Sequence, residues 1–229
     1  MKKLWLALWV CAALLPRADA LSAAAAVTMD ADTGETLFAE NADSRLPMAS
    51  TTKIMTALVA LGEGGLDRVY TVKKQYAAVE GSSMYLEEGE RLTLRDTLYG
   101  LMLSSGNDAA AAVAGECGGE RAFVDKMNAK ARELGLTDTR FENPSGLPSD
   151  GHYTTARELA KITAAALRDP VFRDIVSTKT CTAAGRTLVN HNRLLSLYED
   201  AIGVKTGFTR AAGRCLVSAA ERNGRTVIA

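Results

Sequence analysis

Extended apolar runs at both ends of the chain, with helical periodicity between them, limit the fold more than any other feature. Near the front, residues 25–30 and 35–39 flank Asp32-Thr33-Gly34, the pattern of a β-hairpin. Near the end, residues 201–209, 215–220 and 226–228 are strand candidates, and Asn223-Gly224 between the last two is a strong two-residue hairpin signal. Residues 178–183 and 187–189, around Gly185, are also β-prone. Between the two ends the apolar period is helical. Leu94, Leu98, Leu101 and Met102 share a side within 92–103. Residues 107–114 form an alanine-rich helix, and Phe123, Met127 and Ala131 recur at steps of four within 120–134, which Gly135 closes. Thr154 or Thr155 caps a helix to Leu167, with Glu158 at capping-box distance from Thr155, and Pro170 opens a further short helix. The arrangement predicts an α+β fold: one antiparallel sheet built from both chain ends, with a helical lobe over about residues 63–177 inserted between them.

The 229 residues suffice for one large domain or a domain with a subdomain, and 47% hydrophobic with 24% charged residues argues against disorder. Residues 1–20 read as a secretory signal peptide: Lys2 and Lys3, an apolar core over 4–15, then Ala18-Asp19-Ala20 as a cleavage site. The other reading is an uncleaved membrane anchor, for which that core is short. The mature domain is expected to span 21–229, outside the cytoplasm. The signal holds Lys2, Lys3, Arg17 and Asp19, which leaves 24 basic and 26 acidic residues of the original 27 of each, so no basic field for nucleic acid remains. Cys117, Cys181 and Cys215 remain after Cys11 leaves with the signal; they have no metal-ligand spacing, Cys215 reads as a core residue, and a Cys181–Cys215 bridge is open. The last strand candidate stops at Ala229, inside an apolar strand, which reads as a chain that continues further.

Three short motifs carry chemistry. In the first, Pro47 restricts Leu46 to extended geometry, and Ile54, Leu58 and Leu61 recur helically after Ala49-Ser50-Thr51-Thr52-Lys53. Ser50 then sits at the first turn of a buried helix with Lys53 on the same face. A hydroxyl becomes a nucleophile when a neighbouring base takes its proton, and a buried amine of lowered pKa is such a base. Ser50 also suits a helix N-cap. The second, Ser105-Gly106-Asn107, starts a helix and could be a cap with a turn glycine. The third, Lys205-Thr206-Gly207, lies on a strand candidate and could be an ordinary exposed edge. His152 and His191 read as structural, polar residues without metal-ligand company.

Ser50-x-x-Lys53, Ser105-x-Asn107 and Lys205-Thr206-Gly207, in that order, resemble the penicillin-interacting serine acyl-transferases and β-lactamases. The longer contexts, 47–56, 102–109, 143–147, 152–156 and 203–209, are similar to the serine D-alanyl-D-alanine carboxypeptidases, the low-molecular-weight penicillin-binding proteins. The resemblance implies a β-lactamase/transpeptidase-like fold and, with no cofactor or metal, removal of the terminal D-alanine from peptidoglycan stem peptides. It implies catalytic roles for Ser50 as nucleophile, Lys53 as base and Ser105 as proton shuttle. It implies substrate binding by Asn107, by Lys205 and Thr206 at the terminal carboxylate, and by Gly207 and Phe208 beside the scissile bond. The backbone N–H groups of Ser50 and Phe208 would form the oxyanion hole. β-Lactams are the implied covalent inhibitors. The location would be the cell envelope or secreted, and membrane attachment stays open. Gly106 stands where class A β-lactamases have aspartate, and Glu142 lacks their Glu-x-x-Asn pattern, so slow hydrolysis of a penicillin adduct is expected. The alternatives are a D,D-endopeptidase, a β-lactamase, or a non-catalytic cell-wall binder.

Overall fold

The computed structural model describes residues 22–229; the expected signal peptide, residues 1–20, lies outside the described residues. Strands β1 (Ala26–Asp30) and β2 (Thr36–Glu40) pair antiparallel with Ala26 opposite Glu40. Asp30 builds the turn between them: its carboxylate accepts from the backbone N–H groups of Asp32 and Thr33 and from Thr33 Oγ1. A 3₁₀ turn, Ala49–Thr52, leads into α1 (Lys53–Glu63). Ser50 thus sits on a tighter turn just ahead of the α-helix rather than within its first turn. Of α1, Lys53, Ile54, Met55, Thr56, Ala57, Val59 and Ala60 are buried, so this helix is enclosed on nearly every side.

The lobe follows. β3 (Val69–Thr71) pairs with β4 (Arg91–Thr93), and α2 (Lys74–Ala77) lies between them in sequence. α3 (Leu94–Met102) starts two residues later than the apolar pattern suggests. Thr93 is its cap, accepting from Asp96 N at 3.0 Å while the Asp96 carboxylate accepts from Thr93 N, and this box turns Leu92 and Thr93 over to the strand. α4 (Asn107–Glu116), α5 (Glu120–Glu133) and α6 (Ala156–Leu167) match the periodic segments. Thr155 caps α6 by accepting from Glu158 N, but the Glu158 carboxylate turns elsewhere. It accepts from Thr137 N, Asp138 N and Thr139 Oγ1, and so ties the loop after α5 to the start of α6. Pro170 opens α7 (Pro170–Ser177), capped by the Asp169 carboxylate.

β5 (Thr180–Ala183) and β6 (Arg186–Val189) form a hairpin of their own, and a short α8 (Leu194–Leu197) precedes the closing strands. Those are β7 (Ala201–Thr209), β8 (Gly213–Arg222) and β9 (Arg225–Ile228). Asn223 and Gly224 both have positive φ, as the expected tight turn between β8 and β9 requires. The main sheet runs β2-β1-β9-β8-β7, so the two chain ends meet where β1 pairs with β9. β7 is an edge strand, with α7 and the Ala49–Thr52 turn packed on it. All three described cysteines are free, so the Cys181–Cys215 bridge is absent: one lies on the separate hairpin, the other on β8. Cys215 is half-buried rather than in the core: it lies on the same face of β8 as the buried Val217 and Ala219 but nearer the start of the strand, where that face is less enclosed.

Candidate active site

The first two motifs meet through the Lys53 amine. Its Nζ lies 3.1 Å from Ser50 Oγ, 2.8 Å from Asn107 Oδ1 and 2.7 Å from the carbonyl oxygen of Ser145. Asn107 is oriented by its other side: Nδ2 donates to Glu80 O at 2.6 Å, which leaves Oδ1 for the lysine. Lys53 is fully buried, and burial drives its pKa well below the usual lysine value, with the nearby Lys205 charge adding to the fall and Asp108 opposing it.

This hydrogen-bond set decides how a neutral amine is oriented. The Ser145 carbonyl and Asn107 Oδ1 can only accept, so each takes one of the two N–H bonds of –NH₂. The lone pair is then left facing the Ser50 hydroxyl, and the hydroxyl donates to it. An amine so oriented, with its free lone pair toward a hydroxyl, is placed to accept that hydroxyl's proton.

Several loops hold that geometry. Asn143 Oδ1 accepts from Ser145 N and, at 2.7 Å, from Gly146 N, bending the chain so that the Ser145 carbonyl faces Lys53. Thr56 Oγ1 donates to Pro144 O at 2.6 Å and pins the same loop to α1. Gly146, at φ +86, leaves no room for a side chain: a Cβ there would stand 1.9 Å from Ala49 O. His152 links this segment to the nucleophile's turn. Its Nδ1 accepts from Glu142 N at 3.0 Å, so the proton sits on Nε2, which donates to Thr52 Oγ1 at 2.8 Å. Burial pushes its pKa down to about 4, and a neutral histidine with both nitrogens engaged is structural. Glu142 accepts from Ser149 Oγ and Gly151 N and pairs with Arg140, which occupies it away from Ser50.

Two non-glycine residues at the site hold the left-handed backbone that side chains rarely adopt: Ala49 at φ +48, just before the nucleophile, and Ser105 at φ +60, just before Gly106 and α4. Ser105 is buried and sits two residues from Asn107. Asp108, next in the chain, accepts from Ser83 Oγ, Met84 N and Leu86 N, and so fixes the loop whose Glu80 carbonyl holds Asn107.

The third motif differs from an exposed strand edge in one respect. Lys205 is buried and donates to the Thr206 carbonyl at 2.9 Å, and burial lowers its pKa to about 7. Its charge therefore acts from beneath the strand, while the half-buried Thr206 and the exposed Phe208 stand nearer the surface. Gly207 serves packing: a Cβ there would lie 3.0 Å from Ser50 N, so only glycine lets β7 press this closely on the nucleophile's turn. His191 is exposed, with no ring hydrogen bond among the described residues, and partial desolvation by its neighbours together with the Lys205 charge lowers its pKa. The residues that sequence reasoning passed over are backbone groups and their holders: Ser145 O, Glu80 O, Asn143 and Asp108. Residues 102–109 and 143–147 were noted only as family-like contexts, without a role for these groups.

Comparison with known proteins bears on this arrangement. A family model described as D-alanyl-D-alanine carboxypeptidase, Peptidase_S11, matches residues 12–229. A D-alanyl-D-alanine carboxypeptidase of Streptomyces sp. strain K15 is 41% identical over 91% of this chain and 79% of its own length. D-alanyl-D-alanine carboxypeptidase DacF of Bacillus subtilis is 40% identical over 90% of this chain but only 56% of its own length. A D-alanyl-D-alanine endopeptidase of Pseudomonas aeruginosa is 37% identical over 89% of this chain and 68% of its own. Among solved structures, a mutant of the Streptomyces K15 DD-transpeptidase superposes with a TM-score of 0.87 at 41% identity, covering 91% of this chain and 89% of that one.

Proposed function

The chain belongs to the D-alanyl-D-alanine carboxypeptidase family, Peptidase_S11, and on that premise we propose that Ser50 and Lys53 remove the terminal D-alanine of peptidoglycan stem peptides by acyl transfer. The observation that carries this reading is the Lys53 amine held between two pure acceptors and the Ser50 hydroxyl. Ser50 Oγ attacks the carbonyl of the penultimate D-alanine as its proton passes to Lys53. The developing oxyanion is met by the N–H groups of Ser50 and Phe208; the close approach of Gly207, the residue before Phe208, to Ser50 N supports this reading. The C–N bond breaks, and Ser105 passes the proton on to the leaving amine. Water then cleaves the ester, giving the shortened peptide's carboxylate and regenerating the Ser50 hydroxyl. Thr206 takes the substrate's terminal carboxylate, with the charge of Lys205 lying beneath it, and Asn107 bonds the substrate amide as well as the lysine. β-Lactams acylate Ser50, and the adduct is hydrolysed slowly because Glu142 is committed to the Ser149–Gly151 turn.

Such a substrate lies outside the cytoplasm, consistent with export directed by residues 1–20; no described helix is long and apolar enough to cross a membrane. Free D-alanine released from diacetyl-Lys-D-Ala-D-Ala tests the reading. The wild-type protein is expected to release it and Ser50→Ala to be at least ~10³-fold slower, the scale of losing a catalytic nucleophile. The endopeptidase relative supports a second reading. Release of monomers from cross-linked muropeptides, without free D-alanine from the tripeptide, would establish it instead.

A further inference from the structure

A cavity of about 320 Å³ lies between the open end of the β5–β6 hairpin and α8, and none of the Lys53 cluster lines it. Two asparagines on the segment that joins the hairpin to α8 line it, and the fold uses them differently. Asn190 has all its polar groups engaged. Its Nδ2 donates to Val176 O at 3.2 Å and to Thr178 O at 3.0 Å, and its Oδ1 accepts from Asn192 N at 2.9 Å. The segment is thereby tied to the end of α7.

Asn192 is engaged on one side alone. Its Oδ1 accepts from Leu194 N at 3.2 Å, which fixes the orientation of the amide, since a flipped amide would set two donors face to face. That leaves Nδ2, which is buried and has no acceptor among the described residues. The whole residue is 3% exposed. A buried donor without a partner costs free energy, and a ligand oxygen in the cavity would remove that cost.

The rest of the lining has a definite chemistry. Lys179 and Arg193 are exposed, and neither has an ion pair among the described residues. The backbone at Lys179 is held, because its carbonyl accepts from Asn190 N at 2.9 Å. No described Asp or Glu lines the cavity. Val189, Leu195 and Leu197 supply an apolar wall, of which Val189 and Leu197 remain 55% and 72% exposed. A bare inorganic anion would leave that wall uncovered, and an uncharged ligand would leave both cations unused.

We propose that this cavity is an accessory site for the C-terminal end of a peptide with an aliphatic last residue. The peptide's carboxylate lies by Lys179 and Arg193, the preceding carbonyl oxygen accepts from Asn192 Nδ2, and the last side chain covers Val189, Leu195 and Leu197.

NMR of the ¹⁵N-labelled protein tests this without turnover, so its outcome is independent of the acyl-transfer reading. Three probes are titrated: acetyl-Ala-Leu, its C-terminal amide, and inorganic phosphate. The acid is expected to shift the Asn192 Nδ2 signals and the backbone signals of Val189 and Arg193 saturably. It should bind about fivefold more tightly than the amide, the scale of an exposed ion pair. Lys179→Gln combined with Arg193→Gln, both at exposed side chains, should bring acid and amide within about twofold. Asn192→Asp keeps the acceptor for Leu194 N but removes the donor, and should weaken the acid at least ~10-fold, read at Val189 and Arg193. Four results would each overturn the proposal: no shift at Asn192 with the acid, equal affinity for acid and amide, phosphate binding as tightly as the acid, or a preference for the acid that survives the double substitution.

Discussion

At the scale of single residues, two lysines divide the work through one physical cause. Burial lowers the pKa of both: Lys53, the base of the proposed reaction, falls well below the usual lysine value, and Lys205 falls to about 7, so that it is fully charged only below neutral pH. The sign for Lys205 is that of a cation needed in its protonated form. Below about 7 the charge is present; as pH rises through that value it is lost, and attraction for a substrate carboxylate fades. The alkaline limb of kcat/KM should therefore fall near pH 7 with a free C-terminal carboxylate. It should disappear when the terminal D-alanine is supplied as its amide. Initial rates across pH 5–10 on the two substrates check this.

At the scale of elements, capping and turn chemistry place the site. Glu158 lies on α6, with its carboxylate on Thr137, Asp138 and Thr139, and Asp138 in turn holds Arg45. Glu158→Ala should cost about 2–3 kcal/mol, the scale of leaving buried donors unpaired, read as a lower denaturant midpoint at unchanged m-value. Hairpins and most helices were legible because their signals are local: Asn223-Gly224, Asp32-Thr33-Gly34, the period of Phe123, Met127 and Ala131. Ser50, Lys53 and Asn107 stood out as side-chain motifs, and the fold brings them together at the Lys53 amine. The Ser145 and Glu80 carbonyls were not legible, because every residue has one and only the fold decides which points at Lys53. The start of α3 was misplaced because Leu92 suits a helix face and a strand equally until the Thr93–Asp96 box is seen.

At the scale of the whole molecule, the site is a cost to the fold. An unfolded lysine keeps its proton up to about 10.5, whereas folded Lys205 releases it near 7, so the unfolded chain binds more protons between those values. Lys205 therefore penalises folding fully below about pH 7, and stability should rise with pH from there toward 10.5. Lys205→Met removes the penalty. It should raise the melting temperature at pH 6 by about 4 °C, what 1–2 kcal/mol produces in a chain of this size, and flatten that part of the pH dependence while carboxylate capture is lost. Differential scanning calorimetry of both proteins at pH 6 and pH 9 checks the sign. The same exchange of stability for chemistry governs Lys53, and the rate of β-lactam acylation, followed by intact mass from pH 4 to 10 with the adduct mapped by peptide, tests it most directly. The expected result is one adduct, on the peptide holding Ser50, with a rate that levels off well below the pH at which an ordinary lysine loses its proton. An adduct elsewhere, none at all, or a rate still rising tenfold per unit between pH 8 and 10, as an ordinary lysine would make it, would contradict the account.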